Sequence, residues 1–352
     1  MKKIDYSNFT NINDIYINKI YSQNLQTQWE KLQRSLIARR TGLSIYPSDV
    51  KQILIADFSA LTNIYNDSEN LTEAEKNAAQ RIFNYDTAKS KLKSIPANNS
   101  LSRITKSDKY NEKIANFFIE NSNSIGITSC YYCEMAYIFP YKADVYEKNK
   151  LVGKDKRMFD LDHFFEKADS PITALSLYNF IPSCQVCNSR IKGKKDLDTL
   201  YRLKNETIKV HITDFSEISP SSPNYDFDNQ VTIKVEPIKK EIKDGENNSN
   251  IGFISDMDKN EVKFETNNIC CSRDISAFRL EERYNFPLIK KKALLLEELK
   301  QLWSDSRIED IVDYFNSKNE NISKEMIIKS IFLDADNTKS IFAKMRRAIL
   351  LK

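Results

Sequence analysis

Apolar residues in the first third of the chain return at steps of three and four. Ile15, Ile17 and Ile20 are followed by Trp29, Leu32 and Leu36, then by Ile53, Ile55, Phe58 and Leu61. That period predicts amphipathic helices from Tyr6 to about Asn121. Thr72 with Glu75 three residues on reads as a helix start, the hydroxyl and the carboxylate each closing a free backbone N–H. Pro96 and the polar residues after it, Ala97 to Ser100, mark a loop, and Tyr110 to Glu120 a last helix. The pattern then breaks at Gly126. Short β-like runs follow at Tyr137–Phe139, Phe159–Phe164 and Tyr178–Ile181, and from Asn188 onward the chain reads as helix. Ser216 to Asn229, with Pro220 and Pro223, reads as a loop or extended arm. Val231–Val235 and Glu261–Phe264 alternate as strands, with Asp244 to Asn248 connecting them. From Phe278 the helical period returns, with Pro287 as early punctuation. The chain shows no internal repeat. The predicted class is α+β, in three sections: a helical region over 1–118, a core over 119–200, and a strand-containing then helical region over 201–352.

Length adds that 352 residues suit about two domains and a sizeable core. A formal charge of +4 does not by itself imply nucleic acid, because local clustering of charge decides more than the total. No run of 18 apolar residues exists, so no membrane span is predicted. The start, MKKIDYSNFTN, has no apolar stretch behind its lysines, which points to no secretory leader and a cytoplasmic protein. The cysteines change the picture more. Four of the six fall in two Cys-x-x-Cys pairs of a large chain, which favours a metal over disulfides.

Cys130-Tyr131-Tyr132-Cys133 and Cys184-Gln185-Val186-Cys187 have the spacing of zinc knuckles. Four thiolates complete a tetrahedral zinc site with no open position, so the site is structural. It would contribute on the order of 10 kcal/mol to folding. Between the pairs lies Asp160-Leu161-Asp162-His163. Strand alternation puts Asp160 and Asp162 on one face and His163 on the other. Imidazole can take a proton from water near neutrality, and a carboxylate suits a hard cation such as Mg²⁺. A lone histidine is ordinarily a core or surface residue, but this chain has only two, and one falls here. Asn179 follows within Tyr178–Pro182, and Asn188 comes directly after Cys187. A basic run closes the segment: Arg190, Lys192, Lys194 and Lys195.

The segment from Cys130 to about Lys195, roughly a fifth of the chain, resembles an HNH endonuclease module of the ββα-metal (His-Me finger) group in its four-cysteine zinc form. The resemblance implies a zinc-stapled ββα-metal core that hydrolyses DNA phosphodiesters with Mg²⁺, or Mn²⁺ in its place. His163 would be the general base, Asp162 and Asn188 the ligands of the catalytic metal, and Asn179 the residue that holds the loop and orients the histidine. Asp160 matches a frequent acid of less defined role. One departure stands out: the lysine common three residues after the Cys-Asn step is replaced by Ile191, and Lys192 comes next. On an α-helix that step turns a side chain by about 100°, so Arg190, Lys194 or Lys195 are alternative phosphate contacts. The layout of long helical flanks also resembles nucleases of bacterial anti-phage defence, such as the Septu type. That likeness implies a partner ATPase or other defence protein, or an oligomer. A reading from another class is a non-catalytic zinc module that binds nucleic acid or a partner protein. His211 reads as structural and Cys270-Cys271 as structural thiols. Lys290–Lys292 and Arg346-Arg347 read as solvated faces or nucleic-acid contacts.

Overall fold

The structure, a computed structural model, describes all residues except Asn8, 40–44, 89–90, Asp108, 148–149, 208–210, 238–259, 319–320, 325, 328–341, 343–344 and 346–352. The Asp244–Asn248 connection and Arg346-Arg347 therefore lie outside the described residues. So does most of the chain beyond 318, where the helical period was expected to continue.

The N-terminal helices form where the apolar period predicts, with local shifts of face. Helix α1 (Ile12–Ile20) buries Ile12, Tyr16 and Ile20, four residues apart, and leaves Ile15 on the surface. Helix α2 (Gln23–Arg39) buries Leu25, Trp29, Leu32 and Leu36, and the Trp29 indole finds an acceptor in the Pro47 carbonyl at 2.8 Å. Helices α3 (Val50–Leu54) and α4 (Phe58–Asp67) each start on an aspartate, Asp49 and Asp57, whose carboxylate accepts a first-turn N–H. Helix α5 (Glu73–Ile82) has the full reciprocal cap between Thr72 and Glu75. Glu75 also holds Arg39 of α2 at 2.6 Å, which locks the two helices together. Helix α6 (Asn111–Glu120) is followed by one further turn, α7 (Ser122–Ile125), which ends on Gly126 at φ +75°, a conformation that favours glycine.

The described strands form three separate antiparallel pairs. Strands β1 (Pro140–Glu147) and β2 (Lys150–Arg157) make a hairpin that the hydrophobic pattern did not reveal. Every residue of β2 up to Lys156 is exposed, so neither face carries the apolar alternation of a half-buried strand. Strands β3 (Asp160–His163) and β4 (Phe180–Ser183) pair with Asp162 opposite Ile181 and His163 opposite Phe180. Strands β5 (Thr232–Pro237) and β6 (Asn260–Glu265) fall where alternation placed them. The 216–229 stretch is irregular as expected only up to Asp226, after which Phe227–Gln230 forms a helical turn, and it is packed inward, with Ile218, Ser219, Ser222, Tyr225 and Phe227 all buried. Helices Ile269–Ala277, Leu280–Tyr284, Pro287–Leu302 and Asp305–Ser317 follow.

One continuous cluster of buried side chains draws on the N-terminal helices, the cysteine segment and the helices after β6. The N-terminal helices grip the connection between β3 and β4. Phe165 stacks on Phe58 and Tyr65 of α4 at 5.5 and 4.6 Å. The Tyr16 hydroxyl donates to the Leu175 carbonyl at 2.7 Å, and the Ser176 hydroxyl to the Ile53 carbonyl at 2.7 Å. The loop that faces the candidate histidine is therefore held by α1, α3 and α4.

Candidate metal centre and histidine site

The first Cys-x-x-Cys turns just before the β1–β2 hairpin, and the second links β4 to a helical turn. Together they bring four buried sulfurs within 4.8 Å of one another. The Cys133 and Cys184 sulfurs stand 4.0 Å apart. Tetrahedral zinc with bonds of about 2.3 Å sets its sulfurs roughly 3.8 Å apart, so the cluster has the size to hold such an ion. Backbone N–H groups of Cys184 and Met135 already point at Cys130 and Cys133 sulfurs, at 3.3 and 3.4 Å. Burial raises the Cys130 thiol well above its usual range, while hydrogen bonding with Cys130 lowers Cys184.

Sequence spacing gave no hint of Arg283, which lies on helix Leu280–Tyr284. Its guanidinium donates to the Cys187 sulfur at 3.4 Å. Burial works against the charge of Arg283, but Cys133 and Cys187 raise its pKa beyond the ordinary guanidinium value. Four thiolates around one Zn²⁺ would carry net negative charge, and the guanidinium would offset part of it. Tyr284 beside it donates to the Cys133 carbonyl at 3.1 Å.

Next to the cysteines, β3, β4 and the helical turn Val186–Lys192 form a strand–strand–helix unit. The turn is widened: the Gly193 N–H reaches the Asn188 carbonyl five residues back, at 2.9 Å. A wider turn rotates each residue by less than the α-helical step. Asn188 and Lys192 therefore both point back at β3, and each meets one aspartate of the Asp-x-Asp pair. Asn188 donates to Asp160 Oδ2 at 3.2 Å. Lys192 donates to both Asp162 oxygens at 2.8 Å and to the His163 and Phe164 carbonyls. Tyr132, from the first knuckle, donates to Asp162 at 2.6 Å and stacks on Phe278 at 4.2 Å.

Two candidate residues have partners that spacing did not indicate. Asn188 is paired with Asp160 rather than with Asp162, whose two oxygens are occupied by an ammonium and a phenol. Lys192, expected on the phosphate-binding surface, is buried at 2 % exposure and acts as the counter-ion of Asp162. The physical cause is the widened turn, which carries position 192 inward. Arg190, Lys194 and Lys195 stay exposed.

His163 projects from the opposite face of β3. It packs edge-on against Tyr85 at 4.6 Å and against Phe180 at 4.8 Å. Its Nε2 lies 3.0 Å from the Ala174 carbonyl. A carbonyl only accepts, so Nε2 carries the proton and Nδ1 keeps the lone pair. Burial, and then the ammonium groups of Lys167 and Lys192, lower the His163 pKa to about 3, so the ring is neutral at pH 7. Asn179 secures the loop that presents Ala174. Its Oδ1 accepts the Phe165 N–H at 2.8 Å, and its Nδ2 donates to the Phe165 and Thr173 carbonyls at 3.0 and 3.1 Å. Tyr85 and Lys167, whose ammonium lies 5.1 Å over the Tyr85 ring, are neighbours of the site that no motif marked.

The remaining candidates lie elsewhere. His211 pairs with Asp198 at 3.0 Å on the surface. Cys270 and Cys271 open helix Ile269–Ala277 under the Asn268 cap and are not part of the four-sulfur cluster. Lys290 donates to the Asn260 carbonyl. Among the described residues, no helix is long and apolar enough to cross a membrane. No protein-family model, curated protein or solved structure matches the chain.

Proposed function

We propose that the protein is a metal-dependent endonuclease of the HNH type that hydrolyses DNA phosphodiester bonds, with the four cysteines holding a structural zinc. One observation carries the reading. His163 stands on a strand–strand–helix unit with Nε2 tied to a backbone carbonyl, which leaves Nδ1 with the lone pair, on a strand whose opposite face carries the oxygen-bearing pair Asp160 and Asn188. A general base works best with a pKa near the working pH; burial makes the His163 ring neutral and fixed in one tautomer but leaves it a weak base. A phosphate docked nearby would raise the imidazole pKa, since an anion favours the charged ring.

A hard cation needs carboxylate and amide oxygens. Asp160 and Asn188 can supply one each once the Asn188 amide is turned to present its oxygen, and Asp162 would join only if Lys192 released it. Bound there, Mg²⁺ or Mn²⁺ would neutralise charge on the phosphate and the leaving oxygen. The chain itself contributes the rest. His163 accepts a proton at Nδ1, Asn179 and Ala174 fix the ring, and Lys192 holds Asp162 in place. Exposed Arg190, Lys194 and Lys195 flank the helical turn as phosphate contacts. An effector role in anti-phage defence, with a partner ATPase, belongs to the same reading and rests on layout alone.

A second reading is favoured by the 5 % exposure of His163 between two rings, the setting of a structural histidine in a non-catalytic zinc module. Plasmid nicking by zinc-loaded protein, with and without added Mg²⁺, separates the two. Metal-dependent nicking that His163→Ala abolishes supports the nuclease. Intact plasmid under all conditions, with nucleic-acid binding retained, supports the module.

A further inference from the structure

The β1–β2 hairpin sits between the first cysteine pair and the His163 strand, and its two faces differ. Residues that pair across an antiparallel ladder share a face. Tyr141 pairs with Lys156, Ala143 with Lys154, Val145 with Val152 and Glu147 with Lys150. The other face takes Pro140 with Arg157, Lys142 with Asp155 and Asp144 with Gly153, two cations and two aspartates. Both aspartates thus fall on one side, and the opposite side is basic up to Glu147 at the turn.

The basic side continues toward the core as an aromatic stripe. Tyr137, Phe139 and Tyr141 are exposed by 50, 41 and 45 %, alternating with buried Ile138 and half-buried Pro140. The rings of Tyr137 and Phe139 touch edge to face at 6.3 Å. Met158 adds an exposed thioether at the same end. Three large rings left in water in one row are costly unless something covers them. From β2 only Met158 and Phe159 intervene before Asp160, so the stripe begins within about 10 Å of the histidine strand. At the base of the hairpin, on the other face, the positive charge of Arg157 lies near Tyr85, the ring packed on His163, and works against the rise that burial gives the phenol. One Arg157 guanidinium nitrogen is buried with no acceptor among the described residues.

We infer that this face binds an unpaired DNA strand, its bases stacked on Tyr137, Phe139 and Tyr141 and its phosphates on Lys150, Lys154 and Lys156, and leads that strand to His163. The delivery of the strand to His163 rests on the nuclease reading; the binding does not. Spacing selects the single strand. Rings two residues apart on a strand stand about 6.8 Å apart, twice the rise of stacked duplex bases. A duplex also hides its base faces, whereas splayed bases offer them to aromatic rings beside a basic track.

Fluorescence anisotropy tests this with full-length zinc-loaded protein and no added Mg²⁺. The probes are a labelled oligothymidylate, the same strand in duplex, and an oligouridylate. The single DNA strand should bind at least tenfold tighter than the duplex. Phe139→Ala and Tyr141→Ala should each weaken it by roughly fivefold or more, with zinc content and unfolding midpoint unchanged. The double substitution Lys150→Gln with Lys156→Gln should flatten the log–log salt dependence by about 1.4, near 0.7 for each phosphate released. Asp144→Asn with Asp155→Asn, on the other face, should not weaken binding. Equal binding of duplex, tighter binding of oligouridylate, wild-type affinity in the aromatic variants, or no binding at all would overturn the inference. Adding Mg²⁺ keeps the two readings apart. A strand bound through these rings yet never cut leaves the arm standing and removes the nuclease; a strand cut equally well by Phe139→Ala does the reverse.

Discussion

Replacing Lys192 with methionine tests the part of the site where structure and resemblance differ most. The ammonium and the Asp162 carboxylate are 3 and 4 % exposed, and the substitution leaves that carboxylate buried with only the Tyr132 hydroxyl as donor. Removing one partner of such a pair costs about 3–5 kcal/mol. The lost bonds to the His163 and Phe164 carbonyls belong to the same network and do not add in full. Asp162→Leu should be costly for the mirror reason, a buried ammonium with two carbonyls left. The double variant, apolar at both positions, should recover much of the loss, because a buried pair exchanged for apolar groups is often close to neutral. Urea unfolding of the zinc-loaded wild type, the two single variants and the double variant gives the cycle. A coupling of about 2 kcal/mol or more is expected. If Lys192→Met unfolds within about 0.5 kcal/mol of wild type, the size of an ordinary surface substitution, the pair does not hold Asp162. If Mg²⁺ then stabilises Lys192→Met in a concentration-dependent way, Asp162 is the metal ligand that the resemblance implies.

The other expectations are simpler. Purified protein should contain one zinc per chain by elemental analysis, and Cys184→Ser should lose the metal and unfold the module rather than only slow cleavage. Arg283→Gln should keep the fold but weaken zinc retention against a chelator by about 10- to 100-fold, the usual effect of removing a group that supports metal ligands; unchanged retention would show that the guanidinium is incidental. His163→Ala should lower nicking by about 10²- to 10⁴-fold without loss of zinc, and near wild-type rates would remove His163 as the base. His163 also predicts acid sensitivity: its folded pKa near 3 lies below the unfolded value of 6.5, so the unfolded chain takes the proton first. Stability should fall as pH drops below about 6.5, by up to roughly 1.4 kcal/mol per unit until about pH 3, and His163→Phe should flatten that slope.

Where a side chain's role depends on near neighbours in the chain, the sequence showed it. The Thr72–Glu75 cap, the two cysteine pairs and the Asp160/Asp162 alternation are all local, and each appears in the structure at the predicted positions. Contacts between distant segments left no trace in spacing. Nothing near Arg283 marks it as a partner of Cys187, 96 positions away, and nothing marks Tyr85 as the neighbour of His163. The hairpin escaped for a different reason: a ribbon wet on both faces has no apolar period to read. Lys192 shows how a widened turn, which spacing does not reveal, can carry a side chain inward and change what it does.

The placement of Phe278 and Arg283 has a consequence during synthesis. A nascent chain that has emerged as far as Lys195 already carries all four cysteines, His163, Asp160 and Asn188. It still lacks the ring that stacks on Tyr132 and the cation that faces Cys187. At about 5–20 residues per second, the remaining stretch takes the ribosome on the order of 5–20 s. For that interval the candidate residues exist without the contacts that surround them in the finished chain. A message truncated between these points would yield a protein with every residue of the motif and an unfinished centre.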